Sequence, residues 1–333
     1  MPPIGPAALL AAARDRDPAR PLLTHYDDST GERVELSATT LDNWVAKTAN
    51  LLQDEFDVGP GSTVAVSLPV HWQTAAVLLG VWSCGGLPVD RQRDGDRGAG
   101  TDVELVLEQV GGLGDPVVQG GRRQLHPLTG GVVVEGDEGA GRVAVLLGVW
   151  SCGAAVVDTA SEDDGGLADV DVVLAAQDRL AALEEEDADV ELLGLSLHPL
   201  GAGMTGYVGQ ARDFALEVRS AGDRFVPYSP PDPAAPGLVA GGLQLTLGGL
   251  VETARELAGR LGIGADDRIL VDGQVAAEAG PVAWLLAPLA AGASLVLCRH
   301  PRPEGLAARA AAERVTATLG PEIDGIRALG RPA

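Results

Sequence analysis

Apolar and polar positions near the start of the chain change period at turn residues. Leu22–Tyr26 and Arg33–Leu36 flank Asp27-Asp28-Ser29-Thr30-Gly31, and two such runs around a turn predict a β-hairpin. Ser37 then stands where an N-cap belongs, before a helix predicted from Ala38 to about Glu55. Leu41, Trp44, Val45, Thr48, Leu51 and Leu52 fall on one face of that helix. Lys47, the chain's single lysine, lies between those positions on the flank, which predicts a solvated charge that can be replaced at little cost. The turn Gly59-Pro60-Gly61 precedes TVAVSLP, a continuous apolar run of the kind found in buried strands. His71–Ser83 is apolar enough for a helix packed on a sheet. After Asp158 the alternation resumes: VDVVLAA, ELLGLSL, DRILVDG and SLVLC read as strands, with helical stretches around 178–186, 248–261, 281–290 and 304–314. Strand–helix alternation of this kind predicts the α/β class, with largely parallel sheets flanked by helices.

Residues 91–142 break the pattern, being dense in Gly, Arg and Asp, and read as an insertion. Around them lies a direct repeat: AVLLGVWSCG occurs at 76–85 and again at 144–153, with Val89-Asp90 and Val157-Asp158 extending the match. Ten identical residues in a row point to a duplication. The chain therefore divides into an N-terminal segment, 1–21, one α/β domain of 22–90 plus 143–333, and the insertion. Of the two copies, the second runs into the more strand-like ending, Ala154–Asp158, whereas the first runs into Gly86-Leu87-Pro88. Deleting Gly86–Gly153 is expected to leave a cooperative fold.

Composition narrows the partners. The 333 residues carry 47 acidic and 24 basic side chains, a formal net charge of −23, and a phosphate backbone or anionic membrane would be repelled by that field. No window reaches the ~18 uninterrupted apolar residues of a membrane helix. Cys84, Cys152 and Cys298 lie far apart without a C-x-x-C pair, and the first residues lack the basic start of a secretory leader, so a reducing cytoplasm is the expected compartment.

Most catalytic signatures are missing. A phosphate-binding G-x-x-x-x-G-K-[ST] loop needs Gly before the lysine, and Lys47 follows Ala46. There is no H-E-x-x-H, no Cys–His cluster with metal spacing and no G-x-S-x-G elbow. The histidines, at 25, 71, 126, 198 and 300, look scattered. One G-x-G-x-x-G does occur, at Gly201, Gly203 and Gly206, after the strand ELLGLSL and before a helical pattern, as in a dinucleotide site. With 45 glycines in 333 residues, chance alone supplies about 0.8 such matches, so a glycine-rich turn is the favoured reading.

Several segments, in order, resemble the N-terminal region of the adenylate-forming synthetases, the AMP-binding superfamily of acyl-CoA synthetases and related ligases. Thr39–Gly85 resembles that family's opening helix, its G-x-G-D-x-V strand, with Ser62 at the aspartate, and the next helix. GLQLTLGGLVETARELAGRLGIGADDRILV, AWLLAPLAAGASLVLC and PRPEGLAARAAAERVTATLGP resemble the elements that follow the family's phosphate loop. The resemblance implies the large N-terminal domain of those enzymes, truncated, with ATP or AMP as ligands by resemblance only. The family's loop is rich in Ser, Thr and Gly and ends in Pro-Lys, so that hydroxyls, amides and the lysine hold the phosphates. Here the equivalent stretch, Ala235–Gly242, has neither hydroxyl nor lysine and is several residues short, leaving Gly241, Gly242 and the helix-capping Thr246 as its remnant. The family's lid, with its catalytic lysine, would lie beyond the end of this chain. No catalytic or metal-binding residue is assigned. The resemblance therefore implies a degenerate synthetase that binds a ligand or a protein. The alternatives are a split ligase needing a partner lid, and a nucleotide-binding enzyme using Gly201–Gly206. A homodimer or a protein partner is expected to cover the truncated sheet.

Overall fold

The structure is a computed structural model that describes residues 5–90, 170–186, 190–240 and 243–330. The 91–142 insertion, the second repeat copy at 144–153, Gly241 and Gly242 lie outside the described residues.

The predicted hairpin forms from β1 (Pro21–Asp27) and β2 (Glu32–Ser37), paired antiparallel with His25 opposite Val34. On its other side β1 runs parallel to β11 (Ser294–Arg299), with His25 beside Leu297. Beyond β11 come β10 (Arg268–Asp272), β12 (Ala317–Leu319) and β13 (Arg327–Ala328), giving a sheet ordered β13-β12-β10-β11-β1-β2. A second sheet is ordered β7 (Arg212–Asp213), β6 (Leu192–Leu195), β5 (Val172–Ala176), β3 (Thr63–Ser67), β4 (Leu87–Asp90), β8 (Pro236–Ala240), β9 (Leu243–Thr246). Every pairing is parallel except β1–β2 and β8–β9.

Helices fill the space between the sheets. α1 (Pro6–Arg16), inside the segment to which sequence assigned no element, buries Leu9, Leu10 and Ala13. α2 (Ala38–Phe56) begins at the predicted cap, where the Ser37 hydroxyl accepts from the Thr40 amide at 3.1 Å, a contact worth ~1 kcal/mol. α3 (Trp72–Cys84) is apolar all round because it is covered on every side, as a helix between two sheets must be. It lies close to α2 because Gly80 has no side chain: a Cβ there would come within 2.8 Å of Thr48 Cγ2. Leu23 and Leu297 of the first sheet, Leu52 and Leu79 of the helices, and Val66 and Leu174 of the second sheet share one core. Smaller clusters cover the outer faces. α9 (Pro303–Ala312) packs Leu306 and Ala310 on Val296 and Leu270, and α4 (Leu180–Glu186) packs Leu180 and Leu183 on Val173. The layers thus run helix, sheet, helix, sheet, helix.

Two expectations need correcting. The first repeat copy does lead into a strand: Leu87–Asp90 is β4, held between β3 and β8. Two parallel neighbours outweigh the amide that Pro88 lacks. Lys47 is not a solvated charge. Its side chain is 21% exposed, its Nζ donates to the Ala221 carbonyl at 2.7 Å, and it pairs with Asp223 at 2.8 Å. The reason is a strap, residues 221–228, that runs alongside α2. Asn50 donates to the Gly222 and Arg224 carbonyls at 2.7 and 2.9 Å, and Gln53 accepts from the Tyr228 amide at 2.9 Å. Helical periodicity marks Lys47 as off the core face but cannot show that a distant segment covers it.

Candidate functional site

β8 and β9 occupy the place where the resemblance puts the phosphate loop. Their register sets Ala240 opposite Leu243, so Gly241 and Gly242 are all that connects the strands. Further down the hairpin, Gly237 is packed so tightly that a Cβ would lie 2.8 Å from the Leu247 amide nitrogen, and its carbonyl accepts from Trp82 Nε1 at 2.5 Å. The Thr246 hydroxyl accepts from the Gly249 amide at 2.9 Å, which makes it the cap of α6 (Leu247–Arg260), as predicted. That bond uses the hydroxyl's acceptor side within the protein.

Gly201–Gly206 form a packed turn. This is the reading the sequence favoured, and the next helix, α5, spans Phe214–Ser220 and is capped by Asp213. The other Asp213 oxygen accepts from the Met204 amide at 2.6 Å, and a Cβ on Gly203 would sit 2.7 Å from it. A dinucleotide loop offers its amides to a pyrophosphate at a helix start. Here the Met204 amide faces the protein's own carboxylate. Gly201, at φ 63°, fits against Trp44, with Cη2 2.7 Å from where a Cβ would be.

The structure gathers residues that sequence left apart. In open α/β folds ligands bind outside the carboxyl ends of the strands, and at that end of β1 and β11 stand His25, Asp27, Arg299 and His300. His25 and His71, each 1% exposed, lie edge to face with ring centres 4.3 Å apart. His71 precedes α3, and its Nδ1 accepts from the Gln73 amide at 3.2 Å, which puts the proton of the neutral ring on Nε2. Trp72 packs against both His71 and Trp44, and Trp44 touches the Gly201 turn. Both ring nitrogens of His25, Trp72 Nε1 and Gln73 Oε1 are buried with no hydrogen-bond partner among the described residues.

Burial pushes His25 down to about 4, with Arg299 acting in the same direction and Asp27 opposing. Burial, then His25 and Arg299, hold His71 well below the ordinary imidazole range. Both rings are therefore neutral at pH 7. For Asp27 burial opposes ionisation, but hydrogen bonds from Ser29 and from His300 Nδ1 at 3.0 Å prevail and hold it at about 2. The edge thus has an ionised carboxylate beside an arginine, with two neutral imidazoles and an indole N–H buried behind it. Such a set recognises polar groups and is poorly suited to general-base work near neutrality. Among the described residues no group of three or more His, Cys, Asp or Glu is placed to hold a metal, and no helix is long and apolar enough to cross a membrane. The available sequence signal was a histidine inside an apolar strand and another at the mouth of an apolar helix.

Two sheets with helices between and outside them make an α/β fold that is shared with solved acyl-CoA-synthetase-like structures. The Mycobacterium smegmatis MbtA apo structure matches with a TM-score of 0.57 at 20% identity, covering 94% of this chain and 47% of that one. A benzoate CoA ligase from Burkholderia xenovorans LB400 matches at 0.56 and 14% identity, covering 94% and 49%. The N-terminal domain of FACL13 from Mycobacterium tuberculosis matches at 0.55 and 13% identity, covering 94% and 62%. The chain spans about half the length of the first and second of these structures. A Mycobacterium tuberculosis protein described as a TIGR03089 family protein is 35% identical over 322 residues, which is 94% of this chain and 96% of that protein. The chain belongs to the TIGR03089 family. No protein-family model matches it.

Proposed function

We propose that this protein has the synthetase fold without the adenylating reaction, and acts in the cytoplasm as a ligand-binding or interaction protein. The observation that carries this reading is the β8–β9 connection, where Ala240 pairs with Leu243 and only two glycines stand between them. Adenylation requires cationic and hydroxyl donors against the charge that develops as carboxylate meets phosphate. The connection offers neither, and the chain's one ammonium group is engaged by Ala221 and Asp223 along α2. The ligand surface in this reading is the carboxyl edge of β1 and β11, where Arg299 and the half-exposed His300 flank Asp27 in front of the buried His25, His71 and Trp72. A homodimer or protein partner is favoured by β9, an outer strand of the second sheet whose residues Leu243–Thr246 carry no charge to deter pairing.

The test is carboxylate-dependent ATP–pyrophosphate exchange over a broad panel of acids, with calorimetric titration of ATP, AMP, CoA and NAD. No exchange is expected. Exchange above a heat-killed control overturns the reading. Exchange that arises only when a separate lid domain is added establishes the split ligase, a reading favoured by the chain's covering about half of full-length synthetases.

A further inference from the structure

At the opposite edge of the first sheet, where β1, β10 and β11 begin, there is a hollow of about 440 Å³ beside the end of α9. That volume is within the ~300–1,000 Å³ range of small-molecule sites. Arg20, Arg33, Arg268 and Arg314 line it together with Glu35, Asp266 and Glu313, so the lining carries one positive charge in excess on a chain of net charge −23.

The pairing inside the hollow is uneven. Glu313 accepts from the Tyr26 hydroxyl at 2.6 Å, Arg33 at 2.9 Å and Arg268 at 2.5 Å, and Glu35 pairs with Arg33 at 2.7 Å. Two guanidiniums are thus fixed in place and balanced. Arg20 donates from Nη1 to the Ala265 carbonyl at 3.0 Å, while Arg314 and Asp266 have no partner among the described residues. Arg314 also stands in an unusual place. The Val315 amide bonds to the Ala310 carbonyl at 2.8 Å and the Arg314 amide to the Ala311 carbonyl at 3.2 Å, which is a Schellman ending of α9. Arg314 has the left-handed position of that motif, φ 55°, where glycine carries no Cβ penalty. An arginine at that position, with its side chain engaged by none of the described residues, is available to a ligand.

We propose that this hollow binds a small oxyanion, a phosphate or carboxylate group, which Arg314 and Arg20 engage in front of the Arg33–Glu313–Arg268 network. The bidentate guanidinium geometry suits either group.

The experiment uses the full chain, with sodium phosphate and sodium citrate as probes against sodium chloride at equal ionic strength, read by thermal shift and by calorimetric titration. Either or both probes are expected to raise the melting temperature of the wild type beyond chloride. A response to phosphate alone identifies a phosphorylated ligand, and one to citrate alone a carboxylate. Arg314→Gly relieves the left-handed backbone, so the unliganded variant is expected to melt no lower than the wild type. It should nevertheless bind about tenfold more weakly, the loss of one charge-assisted contact. Asp266→Asn, which removes the unpaired negative charge, should tighten binding roughly threefold. Absence of any effect beyond chloride, or an Arg314→Gly variant that binds as the wild type does, overturns the assignment.

Discussion

On β1, Thr24 and Tyr26 face the outer layer with α9, while His25 and Asp27 face the helices between the sheets. The outer face answers charge with charge: Glu313, 8% exposed, takes hydrogen bonds from Tyr26, Arg33 and Arg268, and Arg309 lies over the Tyr26 ring. On the inner face neither ring nitrogen of His25 has a hydrogen-bond partner among the described residues, and the ring stays neutral. Near a rim, long arginines can reach a buried carboxylate while part of the side chain keeps contact with water. Between two sheets no such arm reaches His25, and giving up the proton costs less than burying the ion.

Removing the hub of the outer face is the severest way to break this contrast. Glu313→Ala leaves Arg268, 14% exposed, without its carboxylate, and a loss of about 3–5 kcal/mol in urea unfolding at pH 7 is expected. Burial opposes ionisation of Glu313, yet its three donors hold it at about 2. That lies below the unfolded value of about 4.3, so the stabilisation is complete above pH ~4.3 and fades as pH falls through 2. Wild type and variant should therefore converge at the acid end. Equal stabilities at pH 7 would refute the hub.

The inner face should respond at higher pH. His25 titrates near 4 in the folded chain and near ~6.5 unfolded, so the unfolded state takes up more protons between those values. Stability is full above ~6.5 and falls as pH drops toward 4, on the order of 3 kcal/mol from this ring. A flat stability profile between pH 7 and 4 would show that the rings are not buried and neutral.

A smaller effect, of opposite sign, is expected from His25→Leu. The substitution replaces an unpartnered polar ring with an apolar side chain, and should add about 1–2 kcal/mol at pH 7 while flattening the acid profile. Destabilisation instead would mean that water or a ligand satisfies the ring. Smallest is Lys47→Ala, a buried-side cation answered by a backbone carbonyl. It should cost about 1 kcal/mol and speed proteolysis within 221–228. A change under ~0.5 kcal/mol would return Lys47 to the solvated surface.

These contrasts also explain how far sequence could be read. The hairpin, α2 with its Ser37 cap and α6 with its Thr246 cap were legible because cap and turn residues adjoin the periodic runs they delimit. β13 was not, since two residues have no period of their own and become a strand through pairing with β12. The order of strands in both sheets was equally hidden. For the stretch that the resemblance equates with the phosphate loop, sequence showed the missing hydroxyls and lysine and the shortness, and the register of Ala240 with Leu243 adds the hairpin that flanks it. The histidine edge stayed invisible because His71 comes from another element and His300 reaches Asp27 across 273 positions. The glycine turn was read as a turn, but what holds it was hidden: Asp213, which takes the Met204 amide and caps α5, lies well past the glycines in sequence.

The strap beside α2 has a consequence for how this family can vary. What α2 grips at the Ala221, Gly222 and Arg224 carbonyls and at the Tyr228 amide is main chain, the part common to every residue type except proline at the amide. Apart from Asp223, which pairs with Lys47, Phe225, which packs on the core, and Tyr228, whose hydroxyl donates to Asp54, side-chain identity along 221–228 is thereby released from the task of holding the strap in place. Lys47, Asn50 and Gln53 have no such freedom, because each contributes its own functional group. Among homologues, drift should accumulate on the strap while these positions of the helix stay fixed, so that the two partners of one contact evolve at different speeds.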